Sequence, residues 1–122
     1  AVWDPLYLRV QAREFIGVFA SPPCTTCSRF RNRPGGPPPV RGMEGKGPYG
    51  LSNLSIQNKE LVRVHNLLVL RVASVLQCVA DFGDILIFEN LALREHEVSV
   101  FRLTEYQTLL DCKSTKHIIG VQ

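Results

Sequence analysis

The spacing of apolar positions changes character several times along the chain. Between Trp3 and Phe19 it is first helical, with Trp3, Leu6 and Val10, and then crowded, with Phe15, Ile16, Val18 and Phe19. Asp4 followed by Pro5 suits a helix start. Gly17 breaks the helical run, and the residues after Glu14 are β-prone. This segment predicts a short helix and then a strand.

Residues 51–81 carry a longer pattern. Leu61, Val64, His65, Leu68, Val72, Val75 and Val79 fall on one helical face, with Asn58 as the expected cap. The alanines and the length favour helix over 67–80. Over 60–66 the alternation of Val62 and Val64 with Arg63 and His65 fits a strand equally well. From residue 82 the period becomes two. Asp81 to Asp84, with Gly83, forms a turn signal; Ile85 to Phe88 reads as a strand continuing to Leu93; "REHE" reads as a hairpin turn; and "EVSVFRL" reads as a second strand. Thr104 and Gln107 have capping-box spacing, which predicts a helix to about Cys112, and "HIIGV" suits a closing edge strand.

Residues 21–50 lack either period. They hold seven of the eight prolines and most of the glycines. Proline removes backbone donors and glycine raises the entropy cost of ordering, so a long loop or extension is expected. Loops of that length inside a domain tend to be functional or bound by something outside it. The organisation expected is a single domain, with an N-terminal helix and strand segment over 1–20, a Pro/Gly/Arg-rich loop or extension over 21–50, and an α+β core over 51–122.

Charge sharpens the reading of that loop. The chain of 122 residues has a net charge of +3, and Arg29, Arg31, Arg33, Arg41 and Lys46 are opposed locally by Glu44 alone. The basic character therefore belongs to one segment. Arginines bind phosphate and stack on bases, and Phe30 among them offers a stacking face. Arg29, Phe30, Arg31, Arg33 and Arg41 are the candidate nucleic-acid-binding residues; the competing reading is a solvated or protein-bound loop.

Cys24 and Cys27 form a C-x-x-C, the spacing from which two thiolates reach one tetrahedral zinc ion. This is a half-site, because a complete one needs two further ligands and none stands at metal-ligand spacing. Plain loop cysteines are the competing reading, and no cofactor other than zinc is suggested. The sequence shows no nucleophile elbow and no glycine-rich loop that follows a strand and opens a helix, so it points to a non-enzyme. The longest apolar stretch, Leu67 to Ala80, contains Arg71 and is short for a bilayer, so no membrane insertion is expected. An intracellular location is expected, with nucleus or organelle left open.

The order of elements from residue 60 resembles the second half of an OB-fold. Single-stranded-nucleic-acid-binding members, such as telomere-end-protection and shieldin-type subunits, place a glycine–aspartate pair before the fourth strand. The matching residues are Gly83 and Asp84, then Ile85, Leu86, Ile87 and Phe88, followed by Leu91, Leu93, Arg94 and Glu95. The resemblance covers residues 60–112. It implies an α+β fold, either a small, mostly antiparallel β-sheet or an OB-like barrel, with two or three helices and the long Pro/Gly-rich loop. The function expected is a non-catalytic, nucleic-acid-contacting module within a larger complex. The alternative is a structural subunit of a multi-protein assembly, such as a ribosome or organellar complex, that binds mainly protein neighbours.

Overall fold

A computed structural model describes residues 3–23, 25–27, 31, 33–90 and 98–111. Helix α1 spans Trp3–Gln11, strand β1 Gly17–Ala20, helix α2 Ile56–Phe82, strand β2 Ile85–Phe88 and helix α3 Thr104–Leu110. Short 3-10 turns occupy Thr25–Cys27, Gly47–Tyr49 and Val100–Arg102.

The organising element is α2. At 27 residues it is about 40 Å long. Ser55, and not Asn58, caps it: the Asn58 N–H donates to Ser55 Oγ at 3.2 Å. It ends where Gly83 takes the left-handed conformation at φ 73°, with its N–H donating to the Ala80 and Val79 carbonyls. Residues 60–66, open between helix and strand in sequence, are helical. By length and composition α2 is able to cross a membrane, with a mean hydropathy of 1.4 over its most apolar window. In this fold, however, Val69, Ala73, Leu76 and Ala80 turn into the protein core.

Strands β1 and β2 pair in parallel, Gly17 opposite Ile85 and Ala20 opposite Phe88. This overturns the expected antiparallel sheet or OB-like barrel. A parallel pair needs a crossover long enough to return the chain to the same end of the sheet, and α2 provides it. Among the described residues of "EVSVFRL", 98–103, the second expected strand is not formed. Val100–Arg102 is a 3-10 turn in which Ser99 Oγ accepts the Phe101 N–H. The alternation that suggested a strand comes instead from burying Val100 and Leu103 while Phe101 packs edge-on against Phe88, with ring centroids 5.4 Å apart. Strand β2 stops at Phe88; its expected continuation to Leu93, the "REHE" turn and the "HIIGV" strand fall largely or wholly outside the described residues.

Two clusters pack on adjacent faces of α2, and Val18 and Leu86 touch both. One joins Val69, Ala73, Leu76 and Ala80 to Leu103, Tyr106 and Leu109 and to the inner sheet residues Val18, Ala20, Leu86 and Phe88. The other seats Val10 and its neighbours Trp3 and Tyr7 on Val75 and Val79. Tyr106 is fully buried, and its hydroxyl donates to the Val69 carbonyl at 2.7 Å. Thr104 does not act as a side-chain cap; Leu103 precedes α3, and the Thr104 N–H donates to the Tyr49 hydroxyl.

Gly83 and Asp84 shape the entry to β2, the glycine through its left-handed turn and the aspartate through an ion pair. Asp84 accepts from Arg13 Nη2 at 3.0 Å, and Arg13 stacks over Phe82. Arg13 itself follows α1 at a positive φ of 57°. The ion pair therefore ties the approach to β1 to the approach to β2.

Candidate functional site at the strand ends

Both strands run the same way, so both deliver the chain to one edge. Immediately past them stand Ser21, Pro22 and Pro23 on one side and Glu89 and Asn90 on the other. The Glu89 N–H donates to the Ala20 carbonyl at 2.9 Å and extends the ladder by one bond. Beyond it, Ser21 Oγ donates to Glu89 Oε2, and Asn90 Nδ2 donates to the Pro22 carbonyl at 3.1 Å. Two side-chain bonds thus tie the exits together. In open parallel α/β sheets, ligands bind in the crevice outside the carboxyl ends of the strands. Here that position presents an exposed carboxylate and a hydroxyl. Cys24 follows Pro23 directly in sequence and lies outside the described residues.

The sequence reading missed Ser21, Glu89 and Asn90. The available signal was the spacing of two short apolar runs around a helical stretch, each followed at once by a polar residue, which is the pattern of a βαβ unit.

The predicted arginine arm divides. Arg29 and Phe30 are outside the described residues. Arg33 is exposed. Arg31 is half-buried and spends its guanidinium inside the loop, Nε donating to the Thr25 carbonyl at 3.0 Å and Nη1 to the Pro38 carbonyl at 2.9 Å. Arg41 is 4% exposed, which removes it from any phosphate-binding surface. Its Nε donates to Thr26 Oγ1 at 2.9 Å, and its Nη1 donates to the Pro48 carbonyl at 2.7 Å and to Asn66 Oδ1 at 2.8 Å. Asn66 in turn donates to the Tyr49 carbonyl, and the Tyr49 hydroxyl donates to Glu105. One guanidinium therefore joins the turn after β1, the turn before α2 and the middle of α2, and the bonds beyond it reach α3. Burial lowers the pKa of Arg41, and the nearby Cys27 acts in the opposite direction.

Close glycine contacts complete this closure. The Gly42 N–H donates to the Gly47 carbonyl at 2.9 Å, and a Cβ on Gly47 would stand 2.8 Å from the Gly42 carbonyl carbon. Only residues without side chains fit that approach.

Cys27, half of the expected zinc pair, is buried in the apolar cluster around α2, and Cys24 is outside the described residues. Among the described residues no group of three or more His, Cys, Asp or Glu side chains is placed to hold a metal ion. A buried guanidinium beside Cys27 also opposes a second cation there.

His65 is half-buried on α2 with Nδ1 sealed from solvent. Burial first, and then Arg41 and Arg31, lower its pKa. A separate groove of about 570 Å³ runs between the three helices, lined by Tyr7, Gln77, Asp81, Glu105 and Thr108 among others. It includes none of Ser21, Glu89 and Asn90, and its lining carries the acids Asp81 and Glu105 and no basic residue. Compared with protein-family models, with curated proteins and with solved structures, the chain matches none.

Proposed function

We propose that this chain is the reacting edge of a parallel α/β enzyme that acts on nucleic acid. The observation that supports this reading best is the pair of bonds, Ser21 to Glu89 and Asn90 to Pro22, at the carboxyl ends of two parallel strands. In this reading Cys24, one residue past Pro23, is the nucleophile, because a thiol is a good nucleophile once deprotonated. Glu89 transfers the proton. Ser21 and Asn90 hold the two chain exits in register. The exposed Arg33, together with Arg29, supplies phosphate contacts, and Phe30 stacks on a base; Arg41 is assigned to the scaffold. The sequence taken alone argues for a non-catalytic module. The proposal departs from that because a parallel strand pair puts its polar exits where α/β enzymes carry their chemistry. We read the protein as intracellular and α2 as a core helix of a folded domain.

Two measurements test this reading. The rate of iodoacetamide alkylation at Cys24, followed by mass spectrometry against pH, should exceed that of Cys78, and Glu89→Gln should shift its profile. Fluorescence anisotropy with labelled single-stranded and duplex oligonucleotides should show binding that weakens with salt and is reduced by Arg29→Ala with Arg33→Ala. A Cys24 no more reactive than Cys78, with a profile indifferent to Glu89, removes the catalytic role. Absence of binding at low salt removes the nucleic-acid substrate.

A second reading is favoured by a different observation. The outer face of the strand pair is apolar and uncovered, with Phe19 68%, Ile85 66% and Ile87 55% exposed. Parallel sheets are normally covered on both faces. A structural part of a multi-protein assembly, seated through this face on an apolar helical layer, accounts for the surface without any chemistry at the strand ends.

A further inference from the structure

Cys27 packs in the apolar cluster around α2 and also lines a small void that it shares with Arg41, Arg31 and Pro39. The void measures about 10 Å³, the room of one water-sized sphere. Arg41 is buried beside it. Its Nε and Nη1 are engaged with Thr26, Pro48 and Asn66, all neutral. Its Nη2 is sealed from solvent and has no hydrogen-bond partner among the described residues. A buried guanidinium N–H in that state calls for an acceptor. The group that acts on Arg41 as a negative charge is Cys27.

Cys78 is the other described cysteine, and its setting is the opposite. It is half-buried on α2, where burial and then Asp81 push its thiol up. A sulfur beside a guanidinium is instead favoured as thiolate, the form that reacts with oxidants. We propose that Cys27 is a site of reversible oxidation, at which hydrogen peroxide adds one oxygen to the sulfur and Arg41 Nη2 donates to the oxygen of the resulting sulfenate. The thiolate sulfur attacks one peroxide oxygen. An S–O bond forms, the O–O bond breaks, and the departing hydroxide takes up a proton to become water. Sulfur loses two electrons and the peroxide gains them. The void has room for one added oxygen, so the oxidation stops at the reversible stage; the irreversible sulfinic acid needs space for a second. Pro39, on the lining, is exposed, so the void adjoins the surface and a small neutral oxidant reaches it. This site is separate from the strand ends and does not rest on the role proposed for Cys24.

The test is site-resolved mass spectrometry of the full chain after timed exposure to hydrogen peroxide. It is run on the wild type and on Cys24→Ser, in which the oxidised sulfur has no thiol three residues away to condense with. Exposure alone would make Cys78 the faster of the two to oxidise. The expected order is the reverse: Cys27 should lose its thiol about tenfold faster than Cys78, the factor that one pKa unit gives in thiolate fraction near neutral pH. Cys27 should gain a single oxygen, removed by dithiothreitol and labelled by dimedone once the chain is unfolded. The singly oxidised Cys24→Ser chain should melt with the reduced one, because the added oxygen gains Nη2 as its donor. A Cys27 no faster than Cys78 overturns the inference, and the wild type decides this even if Cys24→Ser does not fold. Direct accumulation of two or three oxygens overturns it as well. So does a large drop in melting temperature on addition of one, which is the cost of an oxygen buried without a partner.

Discussion

Replacing Arg41 with methionine tests whether this residue is scaffold or surface. The substitution keeps roughly the length of the side chain and removes the charge. Three hydrogen bonds from a charged donor disappear, to Thr26, Pro48 and Asn66. Each is worth about 1.5–3 kcal/mol when the donor is ionised. Against this, the unfavourable desolvation of a buried guanidinium also disappears, and that amounts to several kcal/mol. The balance is decided by the acceptors left behind. The Thr26 hydroxyl can rotate, but the carbonyl of the buried Pro48 and Asn66 Oδ1 lose their donor. Each unsatisfied acceptor costs about 1–3 kcal/mol. The net expectation is a loss of about 3–5 kcal/mol, in line with removing one partner from a buried charged network. For a chain of this size that lowers the melting temperature by about 10–20 °C. Arg41→Lys should fall in between, because one ammonium cannot reach three acceptors held in a planar fork.

The assay is thermal and urea denaturation followed by circular dichroism, with Arg33→Ala as the exposed control, expected to change stability by less than about 0.5 kcal/mol. If Arg41→Met melts with the wild type while oligonucleotide binding falls, Arg41 is a surface contact and the closure described above is wrong. If Arg33→Ala is the more damaging of the two, the division of the arginine arm is wrong.

Three further outcomes are expected. Tyr106→Phe should cost about 1 kcal/mol in urea denaturation, since it deletes the hydroxyl bond to Val69 and leaves the ring in place. Gly17→Ala should cost about 1–3 kcal/mol, because the new Cβ would sit 2.9 Å from the Ile85 carbonyl oxygen, which as backbone in the β1–β2 ladder cannot swing aside. His65 is kept neutral in the fold, its pKa lowered from 6.5. The unfolded chain takes up that proton once the pH drops below 6.5 and the folded chain resists it, so stability is full above that value and is lost as pH falls towards the lowered folded pKa. His65→Gln should flatten this acid limb in urea midpoints measured between about pH 7.5 and about pH 5.5.

The parts of the fold legible in sequence were those decided locally. Gly83 stops α2 because the chain must take a left-handed turn there, and the four apolar residues from Ile85 to Phe88 form a strand whatever they pair with. Pairing is a different matter. Nothing in Ile85–Phe88 states whether its neighbour runs parallel or antiparallel; that depends on whether residues 56–66 belong to α2. Val62 and Val64 obscured this, since β-branched residues suit a strand locally, and the tertiary burial of Val62 on one helical face overrides that preference. Once α2 is a single helix, the hairpin reading of residues 82–103 loses its premise.

The site was less legible for the same reason. Arg41 looks like a member of a basic arm when the loop is read as a string. Its role as a buried strut depends on Asn66, 25 residues away, and on the turn at Pro48. Composition reports the charge of a loop but not which side of the chain it faces. Likewise Ser21 and Glu89 are unremarkable polar residues until parallel pairing brings them together from positions 68 residues apart.

The outer face of the sheet carries the last argument. Phe19, Ile85 and Ile87 line it, and each is more than half exposed. Together they present apolar surface on the order of a few hundred Å², comparable with the largest patch on an ordinary monomer and unusual for residues set at strand alternation. The inner residues of the same strands are packed on α2, so the fold of the chain does not need this face. Ile85→Lys with Ile87→Lys should therefore change the melting temperature little, within about 1 kcal/mol of stability, since exposed strand substitutions act mainly through local preference. The same variant should abolish binding of the dye ANS and any concentration-dependent association in sedimentation velocity. If instead it unfolds the chain, the face is packed in the isolated protein. If it folds and still associates, the contact lies elsewhere, and the uncovered sheet loses its standing as evidence that the strand pair belongs inside a larger layered structure.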